Sequence, residues 1–168
     1  GRVQEYKSLD QVIKVLPKLD KKIVFLIMGK DVGDKKRLVD LSKKLKVSDR
    51  VIFTGELSYP EKLMGLDVSE IFILSSEWEA FGIVILEAMA RGNAIISTKT
   101  EGGEFLVKKE NGFLYKLNDL NSLEKYIKIL YKDKRLREKI KKNNLKKAKE
   151  FLWENIVKDL ERIYLKWK

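Results

Sequence analysis

The sequence predicts an α/β fold: a parallel, doubly wound sheet flanked by helices, with a helical extension at the carboxyl end. Three observations carry this. Short apolar runs recur along the chain, and amphipathic stretches of helical period separate them. Strands that alternate with helices need crossover connections, which make neighbouring strands parallel. From Leu120 onward the pattern is helical only.

In chain order, Leu9, Val12, Ile13, Leu16 and Leu19 recur at helical spacing, and Ser8 before them is the expected N-cap. Ile23–Met28 is an apolar run closed by Gly29 and reads as a strand. Lys35–Leu45 is amphipathic through Leu38, Leu41 and Leu45. Val51-Ile52-Phe53 makes the next strand, and Ser58-Tyr59-Pro60 opens a short helix with its proline in the first turn. Ile71–Leu74 follows as a buried strand, then a helix-forming run from Gly82, then Ala94-Ile95-Ile96-Ser97 as a strand. Phe113-Leu114-Tyr115 is a last short strand after an Asn111-Gly112 turn, where Gly112 is expected at positive φ. No internal repeat, low-complexity tract or Pro/Gly-rich linker divides residues 1–168, which read as one domain.

Composition narrows the function classes. The 168 residues carry a formal charge of +11 and 44% hydrophobic residues, with no cysteine and no histidine. Disulfides, thiolate chemistry and an imidazole base from this chain are thereby excluded. No run reaches the roughly 20 apolar residues of a membrane span. The absence of cysteine is compatible with a cytoplasmic setting. The charge admits two readings: a basic surface for nucleic acid, anionic lipid or phosphorylated substrates, or lysines spread over solvated helix faces. The lysines of the 132–149 tract alternate with acidic and apolar residues, and no aromatic residues interleave there as a platform for single-stranded bases. Solvated helix faces are the expectation, with no nucleic-acid partner.

The stretch Ser75–Gly92 carries the chemistry. After the strand Ile71–Leu74 comes a turn containing Glu77, Trp78 and Glu79. The helix that follows Gly82 holds one carboxylate, Glu87, among apolar or small residues. A helix apolar all round is normally buried, and an unpaired buried carboxylate costs several kcal/mol. Glu87 therefore reaches an edge or faces a pocket that uses it. Glu79 lies seven intervening residues earlier, so two acids bracket a helix N-terminus able to favour an anion. Such a set suits a ligand with both phosphate and hydroxyls. The phosphate-loop pattern G-x-x-x-x-G-K-[ST], a His/Cys metal constellation and a D-x-D pair do not occur in the sequence.

Glu79-Ala80-Phe81-Gly82…Glu87-Ala88-Met89-Ala90-x-Gly92 resembles the E-x7-E signature of retaining glycosyltransferases of the two-domain GT-B fold (glycosyl transferases group 1). Gly1-Arg2-x4-Lys7 resembles that family's G-R-x4-K segment, and Asp49-Arg50-Val51-x-Phe53-x-Gly55 its D-R-V-x-F-x-G strand. Asn111-Gly112-Phe113-Leu114 and Phe151-Leu152-Trp153 also fall where family motifs fall. The resemblance implies a Rossmann-like C-terminal GT-B half that binds a nucleotide-sugar donor. The acceptor domain would lie outside this chain, and Gly1 would follow directly on a first strand.

By resemblance, Arg2 and Lys7 contact the donor diphosphate, Glu87 accepts from the ribose hydroxyls, and Glu79 sits by the transferred sugar. Glu77 is the competing acid. The backbone amides of Phe81, Gly82 and Ile83 are expected at sugar hydroxyls or phosphate, with the Phe81 ring as packing. Trp78 is either a face for a sugar ring or a core residue. Glu101-Gly102-Gly103-Glu104 resembles the family's glycine-rich segment, and Gly55–Leu57 is the expected base pocket. No metal or cofactor is expected beyond the NDP-sugar substrate. A lipid-linked acceptor would place the enzyme peripherally at the inner face of a membrane. The other readings are a GT-B-fold nucleotide-sugar epimerase domain and a non-enzymatic basic binding module.

Overall fold

The computed structural model describes residues 1–166. Strands β1 (Phe25–Met28), β2 (Val51–Gly55), β3 (Ile71–Leu74), β4 (Ala94–Thr98) and β5 (Gly112–Tyr115) alternate with helices. These are α1 (Asp10–Val15), α2 (Lys35–Lys44), α3 (Tyr59–Asp67), α4 (Ile83–Ala90) and α5 (Glu101–Leu106), followed by α6 (Leu120–Lys132), α7 (Lys134–Glu150) and α8 (Trp153–Leu165). Every strand pair is parallel, as expected. The strands form two sheets rather than one, β1-β2 and β3-β4-β5. The helices cover both faces. No helix among the described residues is long and apolar enough to cross a membrane.

Alternation along the strands builds two cores. Ile27, Ala94, Ile96 and Tyr115 pack with Val12, Ile13 and Leu16 of the α1 region, Leu38 of α2, and Leu123, Ile127 and Leu130 of α6. Leu74 and Ile95 pack on the other face with Leu66 of α3, Ile85, Ala88 and Met89 of α4, and Leu106 of α5. Neighbours Ile95 and Ile96 thus serve opposite cores, as a period of two requires. All five β4 residues are buried. Each such aliphatic side chain contributes about 1.5–3 kcal/mol by leaving water.

The start of α3 follows expectation: the Ser58 N–H donates to Glu61 Oε2 at 2.8 Å, and Pro60 sits in the first turn. Four local expectations need correction. Ser8 is not the N-cap of α1; Leu9 takes that place. Ser8 stands at φ 46° closing a 3-10 turn, and its hydroxyl donates to Glu77 Oε1 at 3.0 Å. The first helix is shorter than its apolar spacing predicts, because a 3-10 turn over Leu16–Lys18, holding Pro17, replaces its last turn. Ile23 precedes β1, its N–H turned back to Asp20 O at 3.0 Å.

Gly112 is the fourth correction, since it lies within β5 and not at positive φ. A Cβ there would stand 2.5 Å from the Ile95 carbonyl oxygen, so close strand packing explains the glycine. The long carboxyl-terminal helical stretch is interrupted at Asp133, whose Oδ1 caps the Leu136 N–H at 2.9 Å, and at Phe151–Leu152. Trp167 and Lys168 lie outside the described residues.

Candidate functional site

The loop between β3 and α4 leaves the carboxyl end of β3 beside that of its neighbour β4. Its first residues, Ser75 and Ser76, are buried and held from both sides. Gln11 Nε2 donates to Ser75 O at 3.1 Å, and Ser75 Oγ donates to Lys7 O at 2.7 Å. Thr98 Oγ1 donates to Ser76 O at 2.7 Å, and the Glu77 N–H donates to Tyr6 O at 2.8 Å. At the far side the Gly102 N–H donates to Glu79 O at 2.9 Å. Gly82 turns the chain into α4 at φ 84°, a left-handed conformation that favours glycine. The amides of Phe81, Gly82 and Ile83 donate to no acceptor among the described residues.

Two acid–base pairs occupy the site. Lys7 Nζ lies 3.0 Å from Glu79 Oε2, with side chains 16% and 21% exposed. Lys62 Nζ, from α3, lies 2.6 Å from Glu87 Oε1 on α4. Each ammonium also stands over a tyrosine ring, Lys7 over Tyr6 and Lys62 over Tyr59, both 4.7 Å from the centroid. Arg2, Lys7, Lys62 and Glu87 share the wall of one cavity of about 630 Å³. Gly1 lines the same cavity. Arg2 makes no ion pair with a described residue. The two pairs cancel, so Arg2 leaves the cavity mouth net positive, which suits a phosphate group. Each carboxylate keeps one oxygen not engaged by its lysine and open to a hydroxyl.

The expected site residues therefore divide. Arg2, Lys7 and Glu87 come together at one cavity, and Glu79 joins them through Lys7. The Phe81 ring packs with Phe105 and Phe151, at centroid distances of 5.9 and 6.0 Å. Ile83 points its side chain to solvent at 65% exposure. Glu77 is tied to Ser8 and Tyr6 and serves to position the loop. Trp78 is 66% exposed, so it is not a core residue. Gly55, at the end of β2, accepts from the Gly29 N–H at 2.9 Å and lies near no side chain that identifies a base. Lys62 was not legible in the sequence: a lysine in the first half of a short helix is ordinary, and no motif marks it.

The glycine-rich segment supports the loop from beneath. A Cβ at Gly102 would stand 2.5 Å from the Phe81 carbonyl oxygen and 3.0 Å from the Gly82 nitrogen. Both are backbone atoms and cannot swing aside. Gly102→Ala is expected to destabilise the fold by about 1–3 kcal/mol, measured by chemical denaturation. The same displacement of Phe81–Gly82 is expected in the amide chemical shifts of the loop.

The family model described as glycosyl transferases group 1 matches residues 1–147. N-acetyl-alpha-D-glucosaminyl L-malate synthase of Bacillus anthracis is 31% identical over 157 residues, which are 90% of this chain and 39% of that protein. Among solved structures, sucrose-phosphate synthase from Thermosynechococcus elongatus superposes with a TM-score of 0.89 at 23% identity, covering 99% of this chain and 44% of that one. Anabaena Alr3699/HepE, solved in complex with UDP, gives 0.87 at 23% identity, covering 99% and 46%. The chain spans about 40% of the length of the first curated relatives. The structural likeness establishes the α/β fold with parallel sheets between helices.

Proposed function

The chain belongs to the glycosyl transferases group 1 family, and from that premise we propose that it is the donor-binding domain of a retaining, metal-independent hexosyltransferase. The observation that carries this reading is the pair of acids Glu79 and Glu87, with seven residues between them, each held by a lysine around a cavity that Arg2 also lines. Glu87 would receive the two ribose hydroxyls of an NDP-sugar, and Glu79 the hydroxyls of the sugar. Arg2 and Lys7 would hold the diphosphate. As the bond from the anomeric carbon to the diphosphate oxygen breaks, its electron pair leaves with the nucleotide. The two cations stabilise that charge, and Glu79 faces the positive charge left on the sugar. The acceptor hydroxyl bonds to the anomeric carbon from the side the nucleotide leaves, and its proton passes to the departing diphosphate oxygen on that same face.

The acceptor and most of its contacts belong to residues outside this chain. UDP is the first nucleotide to test, since Alr3699/HepE was solved with it. The basic run of α7 and the exposed Trp153, Leu160, Ile163 and Tyr164 of α8 offer a surface for a membrane carrying a lipid-linked acceptor.

The test is transfer from an α-linked NDP-hexose by the full-length enzyme that carries this domain, with proton NMR of the product. An α-glycosidic bond, formed equally with a chelator present, is expected. A β-linked product would overturn retention, and loss of rate on chelation would overturn metal independence. An epimerised donor without a new bond would make the domain part of an epimerase. Binding with steep salt dependence and no preference for nucleotide sugars would make it a basic binding module.

A further inference from the structure

Lys62 stands where its own helix does not favour it. Glu61, the third residue of α3, accepts from the Ser58 N–H at 2.8 Å and fixes the start of that helix. Lys62 follows directly, and the positive end of the helix dipole opposes a cation so close to the N-terminus. Its ammonium does not run out to water either. It is held between the Tyr59 ring, 4.7 Å from the centroid, and Glu87 Oε1, 2.6 Å away on α4. Both charged side chains are partly buried, at 31% and 22% exposure, and both line the cavity that Arg2 and Lys7 share. Glu87 is the one acid of α4, and Lys62 is the one hydrogen-bond donor to its carboxylate among the described residues.

Given the donor reading above, on which this role rests, we propose that Lys62 is the positioning residue of the ribose site. It holds Glu87 Oε1, so that Oε2 is presented to the two ribose hydroxyls. A glutamate side chain without a partner spreads over several rotamers, and a charge-assisted bond selects one of them. An ionised carboxylate oxygen accepts two donors, so Oε2 alone has room for both hydroxyls. The second effect is charge. A nucleoside diphosphate arrives as an anion, and a bare carboxylate beside its ribose would repel it. Paired with Lys62, Glu87 keeps its accepting oxygen and adds no net charge to the cavity.

A tie between α3 and α4 is not what the pair is needed for. The two helices already pack through Leu66 against Ile85, Ala88 and Met89. Asp67, at the end of α3, is joined to Arg91 at the end of α4 by a second ion pair. Lys62 and Glu87 instead meet at the cavity wall, where a ligand reaches them.

The test measures inhibition of the full-length enzyme that carries this domain by UDP and by 2′,3′-dideoxy-UDP, which lacks both hydroxyls, with the GDP and ADP pairs alongside. The wild type is expected to prefer the ribose form of its nucleotide by about 30-fold. In Lys62→Met the lost charge is expected to weaken both forms about threefold, and the lost orientation to weaken the ribose form about tenfold more. Lys62→Arg, which keeps a cation over Tyr59, is expected to retain most of the preference. In a Glu87→Gln background Lys62→Met is expected to move the preference by less than about twofold, because the lysine acts through the glutamate. Melting temperatures are expected to stay within about 3 °C of one another. An unchanged preference in Lys62→Met would overturn the proposal while leaving the donor reading in place. So would equal weakening of both forms, which would make Lys62 a phosphate ligand or a plain tie between helices. A wild type inhibited alike by both forms would overturn it together with the assignment of the ribose to Glu87.

Discussion

Glutamine in place of Glu79 is expected to lower kcat of the full-length enzyme by about 100-fold or more, with the donor KM moving much less. The substitution keeps the shape and one hydrogen-bond acceptor and removes the charge. A charge placed against the positive sugar counts most in the transition state, so kcat falls and ground-state binding largely persists. The geometry adds a second consequence. Lys7 is 16% exposed and its ammonium rests 3.0 Å from Glu79 Oε2. Without that anion it is free to turn toward the diphosphate, which would tighten product nucleotide. A Glu79→Gln enzyme with tighter nucleotide diphosphate binding and lower kcat fits this account. A raised donor KM with kcat unchanged would assign Glu79 a purely binding role. Initial rates against donor concentration, with nucleotide diphosphate as inhibitor, separate the two.

Arg50→Met is expected to destabilise the domain by about 3–5 kcal/mol without touching the site. Arg50 is buried, and its guanidinium serves three carbonyls at once: Nε to Ile23 O at 2.9 Å, Nη1 to Leu16 O at 3.0 Å and Nη2 to Asp20 O at 2.9 Å. Together they fold the segment between α1 and β1 over the start of β2. Methionine fills much of the volume and leaves those carbonyls without their donor. Arg50→Lys offers a single ammonium in place of a planar fork and is expected to recover only part of the loss. Denaturant titration gives the stability. A change below about 1 kcal/mol in Arg50→Met would mean that water satisfies the three carbonyls equally well.

The strands and the site differ in how far they could be read without a structure. Ile71–Leu74 and Ala94–Ser97 were legible because strands buried on both faces are apolar throughout. Glu87 was legible for a related reason, since a lone carboxylate in an apolar helix needs a partner or a ligand. Its actual partner, Lys62, was not, because their approach depends on how α3 and α4 pack and not on any local pattern. The same limit hid the division into two sheets: pairing between β1 and β3 is a question about distant segments. Arg50 stood in a recognisable motif, yet its role as a staple follows only from where three carbonyls come to rest. Gly112 is a glycine because of a strand contact and not because of a turn. A turn and a close strand contact both require glycine, and sequence alone does not separate a φ requirement from a missing Cβ. Ser8 looked like a helix cap because serine before an apolar period usually is one; here Glu77, on the distant loop, takes its hydroxyl.

The central claim is that Glu87 marks the ribose of a nucleotide-sugar donor. Ligand-observed NMR tests it most directly, with UDP-, GDP- and ADP-sugars offered in turn to this chain and to its Glu87→Ala variant. Saturation transfer to the ribose and base protons of one nucleotide, lost in the variant while its melting curve stays in place, is the predicted result. Equal transfer in both proteins, or transfer to the sugar with none to the ribose, would contradict it.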